Sequence, residues 1–449
     1  MTEQKKYRVA IVGGAGTWGR FYLRTYARRT DCEIVGMVDR AQERRDAFAA
    51  RYGISRTYDA VEDLLADGVP DIVSAVVPVS QNFPVVKACA EAGVRVVSCE
   101  KPISASLAEA DEIVRFCRER GTLFGCAQAV WATPYMPQVM EWIHAGHIGK
   151  LTAAAIPGGL PREMSGGGCV QLAAIRLVTG MEVEWVGGWT LPPEPTYQAP
   201  GTPEIEADTP AYGRLGLSGG IVCEILNPLS NNRISTFISV EGEEGRAWLS
   251  SPHPVLIQGK GSAASPVFPE FLNQPPPESF FVPTIERLLH AFDTGEEPLS
   301  SGHDYRQALE IAIAMKISAH NGHQRVSLPL EDRNLKLFPH PYRLTGGDVA
   351  GWESIGYAGP PNILHFVSTF DDLAGLTDGE IQELMRHTDQ KDLVQVLTQC
   401  SEAAKERVMD NLSERVRTFI AEELEHMDPP TAGEVEAAQQ RILEIVRSM

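Results

Sequence analysis

Arg8-Val9-Ala10-Ile11-Val12-Gly13-Gly14-Ala15-Gly16-Thr17-Trp18-Gly19 decides the fold of the first part of this 449-residue chain. A β-branched apolar run leads into Gly14-Ala15-Gly16-Thr17-Trp18-Gly19, after which residues of helical period begin. In that setting the glycines permit a tight turn, a close approach of backbone to pyrophosphate, and close packing of helix on strand. Twenty residues after Gly19, Asp39 ends the next apolar run, where its carboxylate can accept hydrogen bonds from an adenosine ribose diol. The charge of Asp39 favours NAD by repelling a 2′-phosphate. Arg40 beside it can stack on adenine or receive that phosphate, which keeps NADP open.

Outward from this motif, short β-branched runs alternate with helical segments up to about Cys126, the pattern of βαβ units and a parallel sheet. Strands are expected at Arg8 to Val12, Glu33 to Val38, Ile72 to Val77, Arg95 to Ser98 and Leu123 to Cys126. Helices are expected at Gly19 to Arg29, Ala41 to Tyr52, Val61 to Ala66, Phe83 to Ala92 and Leu107 to Arg120. From Gln128 to Leu330 the pattern changes to α+β with a mainly antiparallel sheet. A helix at Val130 to Ala145 precedes strands at Leu151 to Ile156, Ile221 to Leu226, Ile234 to Glu241 and Arg246 to Ser250. Lys260 to Ser279, rich in Pro, Gly and Ser, reads as a long loop. The segment after Glu331 leads to a nearly all-helical tail. The expected architecture is an α/β Rossmann domain (1–126), an α+β open-faced antiparallel-sheet domain (127–345), a linker (346–364) and an all-α C-terminal domain (365–449).

Composition narrows the function. With 43% hydrophobic residues the chain is too apolar to be disordered, and no apolar run approaches the roughly 18 residues of a membrane span. The polar start, Met1 to Tyr7, lacks a charged-then-apolar leader, so a cytoplasmic protein is expected. Eight cysteines without a Cys-x-x-Cys give no zinc knuckle or dithiol pair, and no metal is expected. The net charge of -19 would repel a phosphate backbone, so nucleic acid is a poor partner.

At Ser98-Cys99-Glu100-Lys101-Pro102 a family resemblance becomes specific. A strand delivering Glu-Lys-Pro, behind the glycine motif and the Val77-Pro78 strand end, resembles the glucose-fructose oxidoreductase, inositol dehydrogenase and rhizopine catabolism (Gfo/Idh/MocA) family. Gly146-His147-Ile148-Gly149-Lys150, the run Gly166-Gly167-Gly168, and Glu297-Pro298-Leu299-Ser300-Ser301-Gly302-His303-Asp304 extend the similarity over residues 7 to 330. The resemblance implies a Rossmann domain, an open-faced sheet that carries substrate and often mediates homo-oligomers, and hydride transfer between nicotinamide and a carbinol or carbonyl carbon of sugars and cyclitols. It implies coenzyme contacts from Pro78, Asn82, Glu100 and Lys101, and a cis peptide at the Glu-Lys-Pro turn. An ammonium such as that of Lys101, at a strand's carboxyl end, can hydrogen-bond a substrate oxygen and stabilise charge developing there.

The chain departs from that family where an Asp and, four residues on, an acid/base His usually follow the glycine run. Leu172 and Arg176 stand at those offsets. Leu172 is inert, Arg176 is a permanent cation, and the neighbouring Gln171 has no usable pKa. Asn82 stands where many members carry a His. Three accounts follow. Lys101 or solvent supplies the proton while Arg176 binds an anionic group of a small-molecule substrate. Alternatively the substrate is an imine or enone-like acceptor needing little acid/base help, or the chain binds dinucleotide without turnover, as a sensor or scaffold. Gln128, Trp131, Tyr135, Arg162, Glu163 and Tyr212 are further pocket candidates for which packing or a solvated rim is an equal reading. His144 and His147 read as helix-end surface residues.

The tail carries a second resemblance. Phe370-Asp371-Asp372-Leu373, Asp378-Gly379-Glu380-Ile381-Gln382-Glu383-Leu384, Asn411-Leu412-Ser413-Glu414-Arg415 and Val435-Glu436-Ala437-Ala438-Gln439-Gln440 are similar to the C-terminal domain of the flagellar motor-switch protein FliG. Met427-Asp428-Pro429-Pro430 joins them, with Asp428-Pro429 where Gly-Pro is usual. Thr377 with Glu380, and Ser401 with Glu402, give helix starts, and Val408, Leu412, Val416, Phe419, Ile420 and Leu424 mark one apolar face. In the motor protein this domain meets the stator through charged residues. Here Asp378 keeps one acidic position and Gly379 replaces an Arg, so the tail is expected to be a protein-docking module, or else an intrachain lid or oligomer clamp.

Overall fold

The computed structural model describes residues 7–448 apart from 17, 127–132, 194–200, 229–235, 251–252, 277–278, 347–366, 368, 377 and 428. The expectations placed on Thr17, Gln128, Trp131, Thr377 and Asp428 lie outside the described residues. By its contacts the chain forms two compact units, Met1–Pro70 with Gly359–Met449, and Asp71–Ala358.

In the first unit, β1 (Tyr7–Val12), β2 (Cys32–Val38) and β3 (Thr57–Tyr58) run parallel, with β2 in the middle. They alternate with α1 (Gly19–Ala27), α2 (Gln42–Tyr52) and α3 (Val61–Asp67). The second unit begins with β4 (Ile72–Ala75), α4 (Val79–Ala92), β5 (Val96–Cys99), α5 (Leu107–Arg120) and β6 (Leu123–Cys126), its strands again parallel. Within the two units the strand orders are β3-β2-β1 and β4-β5-β6, each a parallel half of the Rossmann pattern. Every residue of β4 and β5 is buried, as expected of strands covered on both faces. Helices α4 and α5 end at Gly93 and Gly121, whose φ angles of 88° and 70° suit glycine alone among common residues. The helix expected from Phe83 instead begins at Val79, directly after Pro78, and carries Pro84 inside it. The sequence reading halted at Pro84 because proline usually marks a first turn.

The second unit continues through α6 (Met136–His144), β7 (Leu151–Ile156), α7 (Cys169–Thr179), β8 (Val183–Thr190), β9 (Ala211–Leu217), β10 (Val222–Ile225), β11 (Thr236–Gly242), β12 (Gly245–Ser250), β13 (Val255–Gln258) and β14 (Ser265–Pro266). Helices α8 (Phe281–Thr294) and α9 (Gly302–His320), β15 (Val326–Ser327) and α10 (Pro341–Thr345) complete it. The sheet order is β14-β13-β12-β11-β7-β10-β9-β8-β15, antiparallel except for the pair β7 and β10. Burial alternates along β11, with Thr236, Ile238 and Val240 turned inward. Helix α7, apolar along most of its length, and α9 cover that inner face; α9 starts in a capping box formed by Ser301 and Asp304. The helix expected from Val130 begins only at Met136, because Tyr135 takes a left-handed conformation between Pro134 and Pro137.

Residues 331–345 form a strap along the second unit. Leu107 N–H donates to Leu335 O (3.0 Å), Leu337 N–H to Ala105 O (2.9 Å) and Phe338 N–H to Glu206 O (2.7 Å). Arg333 Nε binds Asp111 Oδ2 at 2.7 Å, and the strap ends in α10.

The tail is helical: α11 (Asp378–His387), α12 (Gln390–Leu397), α13 (Glu402–Asp410), α14 (Glu414–His426) and α15 (Ala432–Ser448). Its core gathers Phe370, Leu373, Ile381, Leu384, Val396, Val408, Ile420 and Ile442. Ser401 caps α13 as its sequence indicated. Phe419, expected on the buried face, is 43% exposed; Ile420 beside it is fully buried and fills that face of α14. Among the described residues no helix is long and apolar enough to cross a membrane.

Candidate active site

The glycine loop follows β1 and its spacing is enforced by sterics. A β-carbon on Gly14 would meet Met37 Cγ at 2.7 Å, and one on Gly19 would strike the carbonyls of Gly13 and Gly14. Gly16 differs: its virtual β-carbon meets only Gly13 O, at 3.4 Å, so glycine there leaves an open concavity beside the backbone. The first turn of α1 contains no acidic residue, so no carboxylate of that turn competes with an anion for the positive end of the helix dipole. Trp18 caps α1, its ring 5.9 Å from that of Phe21.

Asp39 ends β2 and organises this loop. Its Oδ2 accepts from Ala15 N–H and its Oδ1 from Ala41 N–H, both at 3.0 Å. A carboxylate so fixed retains lone pairs for a ribose diol. Arg40 beside it is exposed. The cradle at Gly16, the uncontested helix terminus and the anchored carboxylate fit a dinucleotide.

In the second unit Lys101 follows β5 on a turn held by Asn82. The Asn82 amide group, fully buried, donates to Glu100 O (2.9 Å) and Pro102 O (3.0 Å). Both donors of this amide are spent on the turn, and its Oδ1 has no hydrogen-bond partner among the described residues. The Lys101–Pro102 peptide is cis, as the resemblance implied. Pro78 leads into α4. Burial lowers the pKa of Lys101, and the guanidinium of Arg343 lowers it further against the opposing carboxylates of Glu100 and Glu163.

Four further buried groups were not legible as a set: Glu163 and Cys169 stand within electrostatic range of Lys101, and Asp208 and Tyr305 within range of Cys169. Glu163, 1% exposed, pairs with Arg343 Nε and accepts from His340 N–H at 3.0 Å. Asp208, fully buried, accepts from the N–H groups of Met164 (2.7 Å), Ser165 (2.7 Å), Gly166 (3.1 Å) and Thr209 (2.8 Å) and from Ser165 Oγ (2.6 Å). This hub fixes the loop that leads into α7. Cys169 opens α7, and burial pushes its thiol up to about 12, so it remains protonated. Tyr305, on α9, is 1% exposed, and its hydroxyl has no hydrogen-bond partner among the described residues. Burial raises its pKa well above 10, with Cys126, Cys169 and Glu100 in electrostatic range.

The residues at the usual Asp/His offsets lie elsewhere. Leu172 is packed in the core at 1% exposure. Arg176 points to two carboxylates, with Nε 2.6 Å from Glu182 Oε1 and Nη1 2.5 Å from Asp304 Oδ1. The guanidinium suggested for an anionic substrate is thus engaged by its own protein. Among the other candidates, Tyr135 donates to Gln274 O at 2.7 Å, Tyr212 stacks on Trp189, and His147 stacks on Trp142. Among the described residues no cluster of His, Cys, Asp or Glu is arranged to hold a metal.

Residues 7–128 match the model of the Gfo/Idh/MocA oxidoreductase family with an NAD-binding Rossmann fold, and residues 362–449 match the FliG C-terminal domain. The chain thus carries two segments, each similar to one of these families. The flagellar motor switch protein FliG of Thermotoga maritima is 38% identical over 80 residues, covering 18% of this chain and 24% of that protein. The 1,5-anhydro-D-fructose reductase of Ensifer adhaerens is 30% identical over 145 residues, 32% of this chain and 43% of the reductase. Each of these two matches spans less than half of the relative's length. An oxidoreductase from Agrobacterium radiobacter, solved with NAD+, L-tartaric acid and magnesium, has the same fold over 72% of this chain and 98% of its own, with a TM-score of 0.58 at 20% identity.

Proposed function

We propose that this Gfo/Idh/MocA–FliG fusion is an NAD(P)-dependent oxidoreductase acting between nicotinamide and a carbinol or carbonyl carbon of a sugar- or cyclitol-like substrate, or on an imine. The observation that carries the reading is Lys101: an ammonium on a turn fixed by Asn82, its proton affinity lowered by burial and Arg343. The named reductase relative and the NAD+-bound structural neighbour support the coenzyme and substrate class.

Gly14, Gly16 and Gly19 would hold the pyrophosphate and Asp39 the adenosine ribose, which favours NAD over NADP. Bound nicotinamide supplies or accepts the hydride. Lys101 hydrogen-bonds the reacting oxygen and gives it a proton in reduction, or takes one in oxidation. Tyr305 brings a second proton-bearing group into range of Glu100 and Cys169, in a chain whose usual Asp/His pair is absent. Arg343, rather than Arg176, is the guanidinium within range of the lysine.

A second reading, dinucleotide binding without turnover, is favoured by the burial of Leu172 and the engagement of Arg176. The two separate in one experiment. NADH and NADPH are titrated by nicotinamide fluorescence, and turnover is then followed at the nicotinamide absorbance with a panel of sugars, cyclitols and imines. Turnover that Lys101→Ala abolishes supports the enzyme; tight binding with no turnover across the panel supports the sensor or scaffold.

A further inference from the structure

Helix α15 carries two apolar rows. Ala438, Ile442 and Val446, four apart, enter the tail's own core. Val435 and Leu443, eight apart, lie outside that core, yet each is only 3% exposed. In the same compact unit α15 lies against α1 and α2 as well as against the tail's own helices. Charges on α11 complete the contact. Arg24 Nη2 of α1 is 2.9 Å from Glu383 Oε1, and Arg51 Nη1 of α2 is 3.2 Å from Glu380 Oε1. Arg20 of α1 stands within electrostatic range of Glu380 as well, its own pKa lowered by burial. Three arginines from the dinucleotide half thus face two glutamates of the FliG-type domain, beside a desolvated apolar row.

The two helices gripped in this way run directly out of the residues assigned to the coenzyme. The loop Gly14–Gly19 passes into α1, and Asp39 and Arg40 pass into α2. We propose that the docking partner of the FliG-type domain is the dinucleotide-binding domain of its own chain, and that docking holds α1 and α2 in the coenzyme-binding geometry. The coupling half of this inference rests on the coenzyme reading above. By linkage, whatever factor docking adds to dinucleotide affinity, dinucleotide adds to docking.

The test uses the full chain with NADH and NADPH as probes. The double variant Glu380→Arg/Glu383→Arg places like charges against Arg24 and Arg51; Arg24→Glu/Arg51→Glu added to it restores complementarity with the signs exchanged. Expected results are a loss of dinucleotide affinity of about 10-fold in the reversed variant, within the usual range of such couplings, faster hydrogen exchange in α11, α15 and α1, and recovery of both in the exchanged variant. Bound NADH should slow exchange in α11 and α15 of the wild type. Should the reversed variant fail to fold, Glu383→Gln gives the same direction with smaller size. Faster exchange in the tail with unchanged dinucleotide affinity overturns the coupling. Unchanged exchange in the reversed variant overturns the docking. Recovery that appears only at concentrations where sedimentation shows dimers assigns the contact to a second copy and overturns the intrachain partner. A wild type that binds neither dinucleotide overturns the coenzyme reading, and the coupling with it, while exchange in the variants still decides the docking.

Discussion

A β-carbon on Gly166 would occupy the space taken by the carboxylate of Glu163. The glycine run is therefore tied to a buried acid three residues upstream, itself held by Arg343 and His340 N–H. Gly166→Ala should lower stability by about 1–3 kcal/mol, the usual cost of overpacking. Chemical denaturation measures it, and Glu163→Ala in the same chain should make the effect of Gly166→Ala smaller than in the wild type, because the clash is gone. Additive losses would show that the carboxylate is not the obstacle.

Lys101→Met should abolish turnover and stabilise the fold. The folded-state pKa of Lys101 lies below its ordinary 10.5. A depressed pKa means that stability present above the unfolded value is lost as pH falls through the folded one. The variant carries no such penalty, so its advantage over the wild type should grow as pH falls from about 10.4. Melting curves across pH 6 to 11 check the sign; an advantage that shrinks toward acid would contradict the burial of the ammonium.

Arg176→Met should act on stability and leave substrate affinity alone. Asp304 has a side-chain exposure of 2% and would keep only its capping bonds to Ser301. Removing one partner of such a pair costs about 3–5 kcal/mol when both are buried; with Arg176 at 30% exposure, a loss of about 1–3 kcal/mol is expected after screening by solvent. A raised KM with an unchanged melting temperature would return Arg176 to the substrate.

Tyr305→Phe should be more stable and less active. A buried hydroxyl without a partner costs about 1 kcal/mol or more, which phenylalanine relieves. Loss of a positioned proton donor lowers kcat by about 100-fold or more. Dinucleotide affinity should hold. Equal kcat in the two proteins would leave Lys101 as the sole proton-bearing group.

Which features the sequence disclosed follows from where their causes lie. β1, β4 and β5 were readable because short apolar runs rich in β-branched residues are what a doubly covered strand requires. β8 and β9 escaped notice because glycines interrupt them. Those glycines mark close approach rather than turns: the Trp185 ring lies where a side chain on Gly216 would go, and the α9 backbone at Met315 sits against Gly188, 2.6 Å from its virtual β-carbon. The same division holds at the site. Asp39 and Lys101 were readable as candidates because each adjoins a strand end whose neighbours in sequence are its neighbours in space, whereas Asn82, inside α4, meets Glu100 and Pro102 from 18 and 20 residues away. Glu163, Asp208, Tyr305 and Arg343 come from separate segments, and no spacing along the chain encodes their meeting. Arg176 was correctly placed on its helix, but its engagement was invisible because Asp304 lies 128 residues away.

The strap that ends at α10 also sets a timetable. Arg343 is translated 242 residues after Lys101. At roughly 5 to 20 residues per second, the ribosome needs roughly 12 to 48 s to cover that distance. Throughout that interval the nascent polypeptide holds an untuned lysine, without the guanidinium that depresses its proton affinity and without the partner of Glu163. A chain cut short before Pro341 would keep its Rossmann strands and lack this adjustment.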